Sequence, residues 1–263
     1  MDSFIHRGLR LEYEVRGKGI PFLFLHGMGG SVEQIYKIYE PLFDVQLITL
    51  NLQGHGNSEA DWSDYNFDRL GDDVIALLDH LQIPKAVFAG ISMGAAVSLN
   101  VAVRYPKRVE KLLLIRNAWT NQPMHENVQM AYEALGKCLN TGGISCFLKT
   151  KEWKEILEQE TLYTRRAFTC NFEDESCLKF WKKYLLLPKL APIPSIDCLK
   201  MIRMLVIILA NHDDLCHPFS YGEYLQQYIP GSELIEIPSK DCDEEGHKKA
   251  INTVIQQLLY HSK

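Results

Sequence analysis

Hydrophobic and polar positions alternate along the chain in two patterns. Residues 11–15 have the period of two that is typical of a half-exposed strand. Further strand-length segments rich in apolar residues occur at 21–25, 45–50, 86–89, 111–115, 204–209 and 233–237. Apolar residues recur at helical spacing in 67–81, 95–105, 219–228 and 247–260. Buried strands separated by helices predict an α/β protein with a doubly wound, mostly parallel sheet.

The succession of predicted strands and helices is interrupted between Trp119 and Asp197. This stretch has aromatic and charged residues at helical spacing and no convincing buried strand. We interpret residues 119–197 as a helical cap or lid inserted into a core that is formed by residues 1–118 and 198–263. Its aromatic side chains, Trp119 among them, are candidates for lining a substrate pocket, although such residues more often form the core of their own segment.

Composition and charge narrow the function classes. Of the 263 residues, 46% are hydrophobic, which is typical of a globular protein, and 28 Lys and Arg against 33 Asp and Glu give a net charge of −5. We therefore expect no nucleic-acid partner and no stable membrane association. The N-terminus has no signal-peptide pattern, and the seven cysteines form no C-x-x-C pair. These features predict a cytoplasmic protein, monomeric or homodimeric, without a metal site.

A candidate nucleophile lies at residues 90–94, which match the pattern G-x-S-x-G directly after an apolar strand and before an apolar helix. This pattern forms a sharp turn that exposes the serine hydroxyl above the sheet. Glycine is needed at both ends because a side chain there would crowd the turn. Ser92 would lie at a helix N-terminus, where the helix dipole and free N–H groups favour negative charge.

Acyl transfer also requires donors for the oxyanion of the tetrahedral intermediate. One should be the N–H of Met93, directly after the nucleophile. The other should come from the loop that follows an earlier strand, where the sequence reads HGMGG at 26–30, so the Met28 N–H is the candidate. We also expect Gly27 to contact the substrate. Neither nucleotide-binding glycine pattern is present after a strand, so no phosphate site is expected.

With these motifs the chain resembles serine hydrolases of the α/β-hydrolase family. The resemblance rests on HGMG at 26–29, GHGNS at 54–58, GISMG at 90–94 and GH at 246–247, in family order. It covers about residues 4–118 and 200–260, and it identifies the insertion as the variable cap of the family. It implies the α/β-hydrolase fold and a catalytic triad in the chain order nucleophile, acid, histidine.

The position of the acid leaves two candidates after the strand at 204–209. Family members often have a proline four residues after the acid, and Pro218 then selects Asp214. Taking Ala210 as the family's glycine position selects Asp213 instead. We favour Asp214 and expect the other aspartate to be a solvated turn residue or a helix cap.

The resemblance places the catalytic base at His247, beyond the last strand and directly before a helix. There the imidazole would act as general base and then as general acid, with the aspartate fixing its tautomer. We expect His26 and His55 to be structural residues that support loops near the site. His212 and His217, which flank the acid, are interpreted as neutral surface histidines.

These residues predict a serine hydrolase that cleaves a carboxylic ester of a small, largely apolar molecule and needs no cofactor. The fold and triad alone do not separate this activity from cleavage of amides, lactones or carbon–carbon bonds, or from a cofactor-free haloperoxidase. An alternative from another class is a small-molecule receptor or signalling protein with slow or no turnover.

Overall fold

A computed structural model describes residues 1–260 of the chain. Eight strands form one sheet: β1 Asp2–His6, β2 Leu9–Arg16, β3 Ile20–Leu25, β4 Val45–Leu50, β5 Ala86–Ile91, β6 Val109–Ile115, β7 Leu205–Ala210 and β8 Glu233–Glu236. Their order across the sheet is β1-β2-β4-β3-β5-β6-β7-β8. The first two pairings, β1 with β2 and β2 with β4, are antiparallel, and the others are parallel. The predicted mostly parallel sheet is confirmed.

Helices cover both faces of the sheet. In chain order the helices of the sheet region are α1 Val32–Ile38, α2 Phe67–His80 and α3 Met93–Arg104 before the insertion, and α10 Phe219–Tyr228 and α11 Glu244–Tyr260 after it. The first face packs on α2, α3 and α10, and the opposite face packs on α1 and α11. The strands in the middle of the sheet are covered on both sides, so most of their side chains are apolar and buried, as in β5.

The described residues between β6 and β7 form helices and no strand, as expected from the sequence. They contain α4 Glu126–Thr141, α5 Gly143–Phe147, α6 Leu162–Thr169, α7 Glu175–Lys179, α8 Lys183–Leu186 and α9 Ile196–Lys200, with short 3₁₀ or π turns between them. This segment is tied to the sheet region by buried contacts. The Lys183 Nζ, for example, donates a hydrogen bond of 2.8 Å to the Gly54 carbonyl. Within residues 1–260, no helix is long and apolar enough to cross a bilayer.

Candidate active site

Ser92 lies on the sharp turn between β5 and α3, at the carboxyl edge of the sheet. Its backbone has φ 54° and ψ −111°, a strained conformation for a residue with a side chain. A Cβ at Gly90 would lie 2.1 Å from the Gly94 carbonyl oxygen, and a Cβ at Gly94 would lie 2.3 Å from the Leu25 carbonyl oxygen. Both glycines are therefore required by close backbone contacts, and the strain at Ser92 is held by the packing of the strand and the helix around it.

His217 is the imidazole that contacts Ser92. Its Nε2 lies 2.9 Å from the Ser92 Oγ, and its Nδ1 lies 2.9 Å from the Asp214 Oδ1. The loop after β7 creates this geometry, because the Asp214 Oδ1 also accepts hydrogen bonds from the backbone N–H groups of Cys216 and His217. This tight turn closes the chain around the carboxylate and directs the His217 ring toward Ser92.

The tautomer of His217 follows from its neighbours. The Arg116 guanidinium can only donate hydrogen bonds. It bonds the Asp214 carboxylate through its Nε, at 3.1 Å, and through its Nη2. The same Nη2 lies 3.2 Å from the His217 Nδ1. Both Asp214 oxygens, at 2.9 and 3.0 Å, lie closer to the His217 Nδ1 than the Arg116 Nη2 does, and they can only accept, so the Nδ1 carries the proton and donates it to the carboxylate. The Nε2 is then free to accept the Ser92 hydroxyl proton, as a general base requires.

Burial and charge set the protonation states of this pair. Burial raises the pKa of Asp214, but His217 and Arg116 outweigh it and hold the pKa well below its ordinary value. Burial lowers the pKa of His217, and this effect exceeds the opposing effect of Asp214. The imidazole is therefore neutral and the carboxylate ionised at pH 7. The side chains of Asp214 and His217 are only 5% and 11% exposed.

Of the two aspartates left open by the sequence, the structure brings Asp214 to the site. Asp213 is exposed and adopts a left-handed φ of 58°, which is typical of a turn residue. The interpretation of His217 as a surface histidine is wrong, because its ring is buried between Asp214 and Ser92. The spacing Asp-x-x-His was visible in the sequence, but only the turn at Asp214 shows that it brings the two side chains together.

His247, predicted as the base, does not contact Ser92 or Asp214. It is buried at the start of α11, where its Nδ1 donates a 2.7 Å hydrogen bond to the Pro238 carbonyl. No residue within 1–260 bonds its Nε2. Burial lowers the pKa of His247 to about 4, so the ring is neutral. The position after the last strand brought this residue near the site, but the ring is held by the β8–α11 loop, and His217 occupies the place beside Ser92.

The loop after β3 leaves one backbone N–H free beside Ser92. The N–H groups of Gly27, Gly29 and Gly30 donate to the Gln34 Oε1, the His55 Nε2 and the Gly27 carbonyl, respectively. In the part of the chain that the structure describes, nothing accepts from the N–H of Met28. The same holds for Met93, whose N–H, as the first of α3, has no partner within the helix. These are the two donors expected for an oxyanion.

Two buried histidines fix the position of this loop. The His26 Nδ1 donates to the Gly27 carbonyl at 2.8 Å, and its Nε2 accepts from the Leu52 N–H at 3.1 Å. The His55 Nδ1 donates to the Gln53 carbonyl at 3.0 Å while its Nε2 accepts from Gly29. Each ring bonds one donor and one acceptor, so each must be neutral. Both histidines therefore have the supporting position that the sequence suggested.

The buried His26 makes stability depend on pH. Burial lowers its pKa to about 4, whereas the unfolded chain has an ordinary value of about 6.5. Between these values the unfolded state binds more protons, so the free energy of unfolding falls as the pH falls. We expect His26→Gln to lose less stability than the wild type on acidification from pH 7 to pH 5, by about 2 kcal/mol. Urea unfolding at each pH measures this difference.

A matched control for this prediction is His212→Gln, since His212 is exposed. This variant should retain the pH dependence of the wild type. Parallel curves for the wild type and His26→Gln would contradict the assignment of a buried, neutral His26.

Ser92 opens into a cavity of about 150 Å³ between the sheet and the insertion. Its lining on the sheet side includes Gly27, Met28, Ser92, Arg116, Asp214 and His217, and on the insertion side Tyr132, Tyr163, Thr164, Ala167, Cys170 and Asn171. Gly27, predicted to contact the substrate, lines this cavity, and a Cβ there would meet the Ser92 Cβ at 3.4 Å. The cavity is small, and its walls are partly polar.

Trp119 does not line this cavity. Its side chain is 1% exposed and packs edge-to-face on Phe67 with ring centroids 5.2 Å apart. The proposal that it contacts substrate is therefore corrected, because the residue lies just after β6 in the core below the insertion. Arg116 was not singled out from the sequence. A charged residue directly after the apolar β6, at the same sheet edge as Ser92, was the available signal.

A groove of about 410 Å³ adjoins the cavity through Gly29, Gly30 and Gln34, which line both. It is polar, with three lysines and four carboxylates among its lining residues: Lys37, Lys240, Lys248, Glu33, Asp174, Glu244 and Glu245. The shared lining places this charged groove directly beside the cavity that contains Ser92.

A serine on a strained turn, an imidazole and a buried carboxylate form one hydrogen-bonded chain, with free N–H groups nearby. This is the arrangement found in nucleophilic hydrolases on an α/β scaffold. Comparison with known proteins agrees. A family model for the α/β hydrolase fold matches residues 20–139. The enol-lactonase from Burkholderia xenovorans LB400 superimposes with a TM-score of 0.80 at 19% identity, over 99% of this chain and 100% of that one.

Two curated relatives extend this comparison. The chain is 44% identical to 3-oxoadipate enol-lactonase 2 of Acinetobacter baylyi over 275 residues, 98% of this chain and 96% of that protein. It is also 44% identical over 108 residues to the dihydrolipoyllysine-residue acetyltransferase component of the acetoin cleaving system of Pseudomonas putida, a match that spans only 29% of that protein. The chain belongs to the α/β-hydrolase family.

Proposed function

We propose that the protein is a serine hydrolase that cleaves short carboxylic esters, cyclic esters included, through an acyl-enzyme on Ser92. The observation that carries this proposal is the 2.9 Å contact between the His217 Nε2 and the Ser92 Oγ, with the opposite ring nitrogen on Asp214. Membership of the α/β-hydrolase family supports a hydrolytic activity, and the 44% identical relative from Acinetobacter baylyi is an enol-lactonase.

In the proposed mechanism His217 accepts the hydroxyl proton as the Ser92 Oγ attacks the ester carbonyl carbon. The N–H groups of Met28 and Met93 stabilise the resulting oxyanion. When the intermediate collapses, the imidazolium gives its proton to the leaving oxygen. A water molecule then attacks the acyl-enzyme by the same route in reverse, and Ser92 is released with the carboxylic acid.

Acid quenching during hydrolysis of p-nitrophenyl acetate tests this function. We expect a burst of one equivalent of p-nitrophenol, together with an acetyl group on the peptide that contains Ser92. Ser92→Ala should show neither the burst nor the adduct, since the nucleophile is absent.

The matched control is Ser98→Ala, which removes a buried hydroxyl from α3 without touching the cavity. It should acylate as the wild type does. Turnover that persists in Ser92→Ala would refute the proposal, and tight ligand binding by a folded wild type with no turnover would favour a receptor.

A further inference from the structure

Tyr163 lies in the first turn of α6 and lines the same cavity as Ser92. Its backbone N–H donates to the Asp241 Oδ1 at 2.8 Å, which ties the start of α6 to the loop after β8. The phenol is therefore fixed at the boundary between the insertion and the sheet. The proposed ester mechanism gives this residue no role.

Two cations hold the phenol oxygen. The Arg116 Nη1 and the Lys240 Nζ each donate to it at 3.1 Å. Arginine and lysine have no acceptor, so both bonds are accepted by Tyr163, and its own proton remains to be donated. Among residues 1–260, nothing accepts that proton. An acceptor can therefore come from a ligand in the cavity.

The charges around Tyr163 favour an anionic acceptor. Arg116 is balanced by Asp214, whereas Lys240 forms no ion pair within the described chain and leaves one positive charge beside the phenol. Burial raises the pKa of Tyr163, but Arg116 and Lys240 outweigh it and lower the pKa below its ordinary value. A more acidic phenol donates a stronger hydrogen bond, and the bond is strongest to a charged oxygen.

We propose that Tyr163 is a specificity-determining residue that donates its phenolic proton to a carboxylate of the substrate. This inference rests on the function proposed above. The preferred substrate is then a short ester whose acyl chain ends in a carboxylate. Ser92 and Tyr163 line the same cavity of about 150 Å³, and this small volume favours a short acyl chain. The neighbouring Lys240 stabilises the bound carboxylate by its charge.

A matched pair of substrates tests this assignment: the p-nitrophenyl monoester of glutarate and the p-nitrophenyl ester of 5-methylhexanoate, whose isopropyl end has the shape of a carboxylate. After subtraction of the enzyme-free rate, the wild type should prefer the glutarate ester in kcat/KM. Tyr163→Phe should lower kcat/KM for that ester by about tenfold or more, mainly through KM, because a hydrogen bond to a charged group is lost. The fall for the neutral ester should be clearly smaller, because its isopropyl end cannot accept the phenolic proton.

Two further variants separate specificity from structure. Lys240→Met should lower the preference for the glutarate ester while the phenol remains. Tyr228→Phe removes a hydroxyl from α10, outside the cavity lining, and should leave both rates unchanged. An equal fall for both esters in Tyr163→Phe, or no preference in the wild type, would overturn the role of Tyr163. Failure of the wild type to hydrolyse either ester would instead refute the proposed function.

Discussion

Replacing His217 with glutamine is expected to lower kcat/KM for ester hydrolysis by about 10⁴-fold or more, the usual effect of removing a member of a catalytic triad. The amide cannot accept and return the Ser92 proton, although it fills part of the same space. Steady-state hydrolysis of a neutral p-nitrophenyl ester measures the loss. Far-ultraviolet circular dichroism on the same sample establishes that the variant is folded.

The matched control is His247→Gln, which removes the buried histidine that the sequence predicted as the base. Because, among residues 1–260, the His247 ring bonds only the Pro238 carbonyl, we expect the variant to keep kcat/KM within a few-fold of the wild type. A large fall in kcat/KM in His247→Gln, with little fall in His217→Gln, would show that His247 is the base, as first inferred from the sequence.

Asp214→Asn should lower both activity and stability. Loss of the carboxylate removes the acceptor that fixes the His217 tautomer, for which we expect a decrease in kcat of about 10⁴-fold. It also leaves the Arg116 guanidinium, 4% exposed, without its ion-pair partner. Breaking a buried ion pair in this way costs about 3–5 kcal/mol. Urea unfolding and ester hydrolysis measure the two effects separately.

Two variants control this second prediction. Asp213→Asn changes an exposed turn residue and should alter neither activity nor stability. Adding Arg116→Met to Asp214→Asn removes the unpaired cation, so stability should recover in part while activity stays low. An unchanged free energy of unfolding in Asp214→Asn would contradict a stabilising role for the ion pair between Asp214 and Arg116.

Periodicity was sufficient to predict the strands that are buried on both faces. The strands β3, β4, β5, β6 and β7 read as continuous apolar segments because helices cover them on each side. The edge strand β1 was not predicted, since only Phe4 of its five residues is buried. Helix α1 was also missed, because seven residues give too short a window for helical periodicity.

The site was predictable where local sequence determines the geometry. The glycines around Ser92 are needed by backbone contacts within one turn and with β3, so the motif located the serine in the structure. The choice between His217 and His247 depends instead on hydrogen bonds in two separate loops. No pattern of residue types records that the Asp214 carboxylate accepts two backbone N–H bonds and turns the chain toward Ser92. The resemblance to the family therefore led to His247, which follows the last strand, as the predicted base.

The measurement that tests the central claim most directly is the rate at which a fluorophosphonate modifies Ser92, because it requires no knowledge of the substrate. The wild type and His247→Gln should form one adduct on Ser92 at similar rates, and His217→Gln should react several orders of magnitude more slowly. This result would establish His217 as the base that activates Ser92. Rapid labelling of His217→Gln, or slow labelling of His247→Gln alone, would contradict the account.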